Sequence, residues 1–174
     1  MSRRTEARRR REAEILSAAA AILADRGFHQ TRLEDVGSAV GISGPALYRY
    51  FSGKEELLAQ ILIDISIRLV DGARAVLDRA KSNDWEPEET LRGLLAHHVH
   101  FAVTEPDRIR VQEREGGNLA PEQSAKVRSL QRLYMVLWVD ALRELQPELT
   151  SDEAQLKVQL TAGSVSYTHL RAHE

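Results

Sequence analysis

The sequence predicts an all-α protein, and three observations support that prediction. Apolar residues recur at intervals of three and four along most of the chain, which is the period of a helix with one buried face. No segment shows the alternation of apolar and polar residues that is typical of a strand. The prolines and many of the glycines stand between the periodic segments, where such residues open or end helices.

Two helices are predicted before residue 41. The first runs from about Ala7 to Arg26, and Gly27 ends it because glycine accepts the left-handed conformation of a helix C-terminus. The second runs from about Arg32 to Val40, with Thr31 predicted as its N-cap and Gly41 as its end.

Two further helices follow a short turn. Ser43 is predicted to cap a third helix, and Pro45 is tolerated in its first turn because amides there have no intrahelical acceptor. Leu47 and Phe51 are expected to point inward. A longer helix is predicted from Lys54 to about Lys81, with a broad apolar stripe that indicates contacts on more than one side.

Prolines mark the helix starts in the rest of the chain. Helices are predicted from about Pro87 to Thr104, Pro106 to Glu115 and Pro121 to Leu145, and a last helix opens at Thr150. Gly116 and Gly117 interrupt the helical pattern between the second and third of these.

Charge is distributed unevenly. The net charge of −2 disfavours a nucleic-acid-binding domain when taken as an average. However, residues 1–54 hold 10 Lys and Arg against 6 Asp and Glu, whereas residues 55–174 hold 14 against 20. Six arginines and one glutamate lie within residues 1–11, which are predicted to form a basic arm that contacts nucleic acid or remains solvated.

Composition excludes several classes of site. The chain has no cysteine, which excludes disulfides, thiolate metal sites and cysteine nucleophiles. It has no run of 18 apolar residues and no secretory h-region after its first residues. We therefore expect a cytoplasmic protein without membrane contact.

The second and third helices form a helix-turn-helix pattern at about residues 32–51. Its members have fixed offsets, and the set resembles the TetR family of bacterial transcriptional regulators over about residues 10–60: Thr31, Val36, Val40, Gly41, Ile42, Ser43, Leu47, Tyr48, Arg49, Tyr50, Phe51, Lys54, Glu55 and Leu57. Gly37 and Ser38 depart from the alanine-like residues of that family, which bears only on how rigidly the second helix packs.

The resemblance implies a regulator that binds a palindromic operator as a homodimer and responds to a small-molecule inducer, with repression as the default. It implies a DNA-binding domain at 12–56 and a helical regulatory and dimerisation domain at 57–163. No cofactor is expected. The rival interpretations are a helical metal-dependent enzyme and a purely structural helical dimer; no nucleophile elbow, phosphate loop or HExxH sequence supports an enzyme.

Candidate DNA contacts follow from the way a helix-turn-helix binds DNA, in which the first residues of the second helix, the recognition helix, contact base edges. Arg49 is predicted to read a guanine or hold a phosphate, and the resemblance makes Lys54 a phosphate clamp. The full set is Thr31, Arg32, Ser43, Gly44, Pro45, Ala46, Tyr48, Arg49, Tyr50 and Lys54.

Candidate ligand contacts lie in the second domain. His97 and His100 share a helix face but lack a local third ligand, so no metal site is predicted. An arginine among Arg108, Arg110 and Arg114 is a candidate receiver for a carboxylate or acyl-CoA phosphate, or a member of a solvated face. The predicted pocket contains His97, His100, Phe101, Arg110, Tyr134 and Trp138.

Residues 164–174 do not continue the apolar periodicity of the segment before them. From Val165 onward they can be encoded by a transposase-type sequencing adapter read in frame. We expect this segment not to belong to the native chain.

Overall fold

The described secondary structure consists of helices. The computed structural model describes residues 3–171, and side chains only for residues 3–161. In chain order the elements are α1 Arg3–Arg26, α2 Leu33–Ala39, α3 Gly44–Leu47, α4 Lys54–Ser82, α5 Pro87–Thr104, α6 Pro106–Glu115, a 3₁₀ helix Gly116–Asn118, α7 Pro121–Leu145 and α8 Ser151–Arg171. No strand occurs within residues 3–171, so the predicted fold class is confirmed.

Local rules placed most helix ends correctly. The three helices predicted to open at prolines do so, because the proline occupies the first turn. Gly27, after α1, has a φ of +78°, as predicted for a helix end. The last helix was predicted to open at Thr150, and α8 begins at the next residue, Ser151. The structure adds a capping box that was not predicted: the hydroxyl and amide of Thr150 both donate to Oε2 of Glu153.

The basic segment at residues 1–11 is helical from Arg3, so α1 begins four residues before the prediction. Arginine is a good helix former, and two of the arginines make ion pairs along the same helix. Arg8 pairs with Glu12 at 2.8 Å and Arg11 pairs with Glu14 at 2.7 Å. The segment is therefore the start of α1 instead of a separate arm.

Helix α4 connects the two halves of the molecule. Its 29 residues extend about 43 Å at 1.5 Å per residue, and it contacts α1, α5, α6 and α7. The domain boundary predicted at 56–57 lies inside this helix. Buried side chains of both halves join one apolar core, which includes Ile15, Leu23, Val36, Leu47, Leu58, Ile61, Leu94, Val111 and Trp138.

Helices α4 and α5 approach closely at Gly72. A Cβ built there would lie 2.0 Å from Cε1 of His97, so the imidazole ring lies against the backbone of α4. This contact leaves His97 half-buried between α5 and α4.

The segment predicted to be non-native continues helix α8 through Arg171. Its side chains and residues 172–174 lie outside the described residues, so the prediction stays a prediction. No helix within residues 3–171 combines the length and hydropathy that crossing a membrane requires.

Candidate nucleic-acid interface and ligand groove

Helices α2 and α3 form the predicted helix-turn-helix, and we call them the reader helices. The turn between them depends on Gly41, whose φ of +68° is a conformation that residues with a Cβ rarely adopt. After α3, the chain makes one more turn in which Tyr50 and Phe51 donate to the carbonyl of Leu47. Leu47 is fully buried, so a short helix is held to the core by one large side chain.

Gly37 closes the turn tightly. The amide of Ile42 donates to the carbonyl of Gly37 at 2.9 Å, and a Cβ on residue 37 would lie only 2.9 Å from the carbonyl oxygen of Ile42. The departure from the family pattern therefore permits the close approach of the turn to α2.

Most of the predicted DNA contacts share one surface around α3. Ser43, Pro45, Tyr48 and Arg49 are exposed, and Tyr48 has 54% of its surface accessible. Gly44, Ala46 and Tyr50 are half-buried beside them, and Arg32 is exposed at the start of α2. Ser43 is the N-cap of α3 by position, but its side chain makes no capping hydrogen bond. Its hydroxyl is left on this exposed surface.

Thr31 lies inside the protein, and the prediction that it caps α2 is wrong. Arg32 is the N-cap residue and makes no side-chain cap. Thr31 is 2% exposed, and its hydroxyl donates to the carbonyl of Gly27 at 2.8 Å. The hydroxyl therefore satisfies an acceptor at the end of α1.

Lys54 braces the loop before α2. Its Nζ donates to the carbonyl of Phe28 at 2.9 Å and to that of Thr31 at 3.5 Å. The same ammonium lies 4.4 Å from the centroid of the Phe28 ring, where a cation is attracted to the π face. The sequence did not reveal these contacts because the three residues are brought together only by the packing of α4 beside that loop.

The predicted ligand residues divide into two groups. Tyr134 and Trp138 lie one helical turn apart and meet His98, which was not predicted. Nδ1 of His98 lies 3.0 Å from the Tyr134 hydroxyl, and the His98 and Trp138 rings lie 6.2 Å apart in a T-shaped arrangement. Burial raises the pKa of Tyr134 to about 12, so its hydroxyl remains protonated at neutral pH.

The other predicted ligand residues do not join this cluster. His97 packs on Gly72, and its pKa is lowered chiefly by burial, against a hydrogen bond to the backbone of Leu69 that raises it. His100 is exposed and Arg110 is half-buried. Phe101 is buried, and the guanidinium carbon of Arg68 lies 5.3 Å from the centroid of its ring. Of the six predicted residues, Trp138 alone lines the groove described below.

Arg108, one of the arginines considered for an anionic ligand, already has acidic partners. It donates to Asp64 at 2.6 Å and pairs with Glu105 at 3.0 Å, and only 8% of its side chain is exposed. The pair with Asp64 joins α6 to α4, whereas Glu105 is the N-cap residue of α6 itself.

A groove of about 600 Å³ lies between α5, α7 and α8. Trp138, four leucines and Val158 form its apolar lining, and the other lining residues are polar or charged. Lys157 stands at its rim, held by a 3.0 Å hydrogen bond from Nζ to Oε1 of Gln146. The lining residues are Glu88, Leu91, Arg92, Leu95, Trp138, Leu142, Gln146, Lys157, Val158, Leu160 and Thr161. Trp138 is shared with the predicted ligand set. In the described part of the chain, no three histidine or acidic residues cluster closely enough to hold a metal ion.

Two family models match the chain. The model described as bacterial regulatory proteins, tetR family, matches residues 15–61, which include both reader helices. The model described as tetracyclin repressor-like, C-terminal domain, matches residues 84–169.

Individual relatives show the same similarity. The transcriptional repressor KstR2 of Mycolicibacterium smegmatis is 29% identical over 135 residues, which are 77% of this chain and 64% of the repressor. The chain thus spans less than two thirds of that relative's length.

Solved structures share the fold. A TetR-family transcriptional regulator from Bordetella parapertussis has a TM-score of 0.82 at 26% identity, covering 91% of this chain and 81% of that one. The structure of the ketosteroid transcriptional regulator KstR2 of Mycobacterium tuberculosis has a TM-score of 0.74 at 25% identity, covering 89% and 81%.

Proposed function

Because the chain belongs to the TetR family of bacterial regulatory proteins, we propose that it is a ligand-responsive repressor that binds a palindromic operator as a homodimer. The observation that carries the proposal is the exposed surface of α3 and the turn that follows it, where Pro45, Tyr48 and Arg49 project from a tightly closed helix-turn-helix. The relatives named above are transcriptional repressors or regulators, which favours this function over the enzyme interpretation.

The chemistry of this surface suits the major groove. Gly44 and Ala46 are small, which permits close approach of α3 to the bases. Arg49 offers the paired donors that guanine O6 and N7 accept, and the hydroxyls of Tyr48 and Ser43 suit phosphate oxygens. Arg32, the N-cap residue of α2, is exposed and suits a contact with the DNA backbone. Thr31 and Lys54 contribute indirectly in this proposal, since both hold the loop that precedes α2.

The test is fluorescence anisotropy with the DNA upstream of the gene and with single-base variants of the protected site. Arg49→Ala is expected to weaken specific binding by about 1–3 kcal/mol and to relax discrimination at one base pair. Arg132→Ala, an exposed arginine on α7, is the matched control and is expected to change nothing. A uniform loss across all variants would assign Arg49 to a phosphate. Unchanged binding by Arg49→Ala would contradict the proposed interface.

A dimer is needed because two recognition helices must reach half-sites about 34 Å apart or a multiple of that spacing. Leu156 on α8 is 57% exposed and Leu160, one turn later, is 66% exposed. Such an apolar pair on a surface helix favours α8 as part of the dimer contact. Leu156→Asp is expected to shift sedimentation toward the monomer and to weaken operator binding, whereas sedimentation equal to that of the wild type would contradict this assignment.

The proposed ligand is an amphipathic molecule with an apolar or acyl body and an anionic end. The apolar lining of the groove suits the body, and Lys157, whose hydrogen-bond partner is the neutral Gln146, suits the anion; Arg92 is already paired with Glu88 at 2.7 Å. Titration with a fatty acid and with its coenzyme A thioester is expected to change tryptophan fluorescence and to release operator DNA. The change should disappear in Trp138→Phe and persist in Trp85→Phe. A fluorescence change that depends on Trp85 instead would place the ligand elsewhere.

A further inference from the structure

Two arginines of α1 reach the ends of the two reader helices. Arg8 and Arg11 lie three residues apart, and therefore on one face of α1. Nη2 of Arg11 donates to the carbonyl of Val40 at 2.7 Å, and Nη2 of Arg8 donates to the carbonyl of Arg49 at 3.4 Å. We propose that both are positioning residues, which hold α2 and α3 in the relative orientation that DNA reading requires.

The acceptor of Arg11 is a carbonyl at the C-terminal end of α2. The last carbonyls of a helix have no intrahelical donor, and they carry the negative end of the helix dipole. The neighbouring carbonyls of the turn receive backbone amides: Gly41 donates to Ser38, and Ile42 donates to Gly37. The guanidinium of Arg11 therefore adds a charge-assisted hydrogen bond where α2 gives way to the turn.

The acceptor of Arg8 lies at the corresponding end of α3. Arg49 follows the last residues of that helix, and its carbonyl faces the start of α1. The guanidinium of Arg8 also lies 5.5 Å from the ring centroid of Tyr50, in cation–π contact. One side chain thus contacts both the backbone and the half-buried aromatic ring that follow the recognition helix.

Each arginine is itself held in place. Nε of Arg8 bonds Glu12, and Nη1 of Arg11 bonds Glu14, so acidic partners on α1 restrict the rotamers of both guanidinium groups. Arg11 is the less exposed of the two, with 33% of its side chain accessible against 60% for Arg8. We therefore expect Arg11 to have the larger effect.

This assignment rests on the proposed DNA-binding function and differs from the sequence-based expectation that the basic segment contacts DNA directly. A phosphate contact and a positioning contact have different salt dependences. Each phosphate contact contributes about 0.9 to the slope of log affinity against log salt, whereas a positioning residue leaves the slope unchanged.

The experiment compares Arg11→Ala, Arg11→Lys and Arg8→Ala with Arg10→Ala, an exposed neighbour on the same helix. Operator and unrelated DNA are titrated at several salt concentrations. Arg11→Ala is expected to lose roughly tenfold in operator affinity, to retain affinity for unrelated DNA, and to keep the salt slope. Arg11→Lys should recover part of the loss, because its ammonium is a donor whose reach is within one bond of that of the guanidinium. Arg8→Ala should show the same pattern with a smaller loss.

Two DNA-binding results would overturn the proposal. Equal losses on both DNAs with a salt slope reduced by about 0.9 would make Arg11 a phosphate contact. Unchanged operator affinity in both Arg11→Ala and Arg8→Ala would show that neither arginine affects operator recognition.

Amide hydrogen exchange tests the positioning without DNA, and so separates this proposal from the proposed function. Faster exchange at residues 40–43 in Arg11→Ala than in Arg10→Ala supports the brace even if no operator is bound. Equal exchange in these two variants refutes it.

Discussion

Gly37 offers the most direct test of how the reader helices are joined, through the substitution Gly37→Ala. On helix propensity alone, alanine in α2 stabilises by about 1 kcal/mol relative to glycine. The tertiary contact opposes that gain, because the new Cβ lies 2.9 Å from the carbonyl oxygen of Ile42, where ordinary contact begins at 3.4 Å. The turn must therefore open by about 0.5 Å.

The cost of that opening exceeds the gain. The hydrogen bond from the Ile42 amide to the Gly37 carbonyl lengthens from 2.9 Å, which forfeits about 1 kcal/mol. Forcing an extra carbon into a closely packed site costs a further 1–3 kcal/mol, roughly. We expect Gly37→Ala to lower the free energy of unfolding by about 1–3 kcal/mol and to weaken operator binding.

The assay is urea unfolding followed by circular dichroism, with anisotropy on the operator beside it. Ser38→Ala is the matched control: Ser38 is the exposed neighbour, and its hydroxyl only returns to the carbonyl of Glu34, so a change within about 0.5 kcal/mol is expected. If Gly37→Ala proved as stable as the wild type or more so, propensity would outweigh the contact and the close-approach argument would be refuted.

Three further predictions concern buried groups. Leu47→Ala should lower the free energy of unfolding by about 2–5 kcal/mol and abolish operator binding, since one fully buried side chain anchors α3; a smaller loss would show that the site collapses around the cavity. Tyr134→Phe should cost about 1–3 kcal/mol by removing the hydroxyl from His98, measured by thermal unfolding, and an unchanged midpoint would contradict the bond. Burial lowers the pKa of His97, so the imidazole binds a proton more readily in the unfolded chain than in the folded one. The contribution of neutral His97 to the free energy of unfolding is therefore fully present above the ordinary pKa of 6.5 and is lost as the pH falls below it. The difference in unfolding free energy between wild type and His97→Gln should shift in that window, and a constant difference would refute the reasoning.

Helix ends were predictable because local rules govern them. Pro87, Pro106 and Pro121 open helices where the sequence placed them, since the missing amide donor costs nothing in a first turn. Gly27 and Gly41 mark positive-φ positions for an equally local steric reason. The start of α1 was misplaced because the arginine-rich composition was interpreted as a separate basic arm, while ion pairs along the helix favour helix formation from Arg3.

The destinations of individual polar side chains required the tertiary structure. Thr31 and Lys54 carry the residue types of DNA contacts, yet both bond backbone carbonyls in the loop between α1 and α2. His98, instead of His97, meets Tyr134, because the path of α5 over Gly72 directs His97 toward α4. Local sequence thus determined the helices, most of their ends and the helix-turn-helix motif, all of which depend on short-range backbone and capping energetics. The hydroxyl of Thr31 bonds only four residues back, to Gly27, so that contact is local. Only the packing of distant segments decided where Lys54 and His98 point, because their contacts join residues 26 and 36 positions apart in the chain.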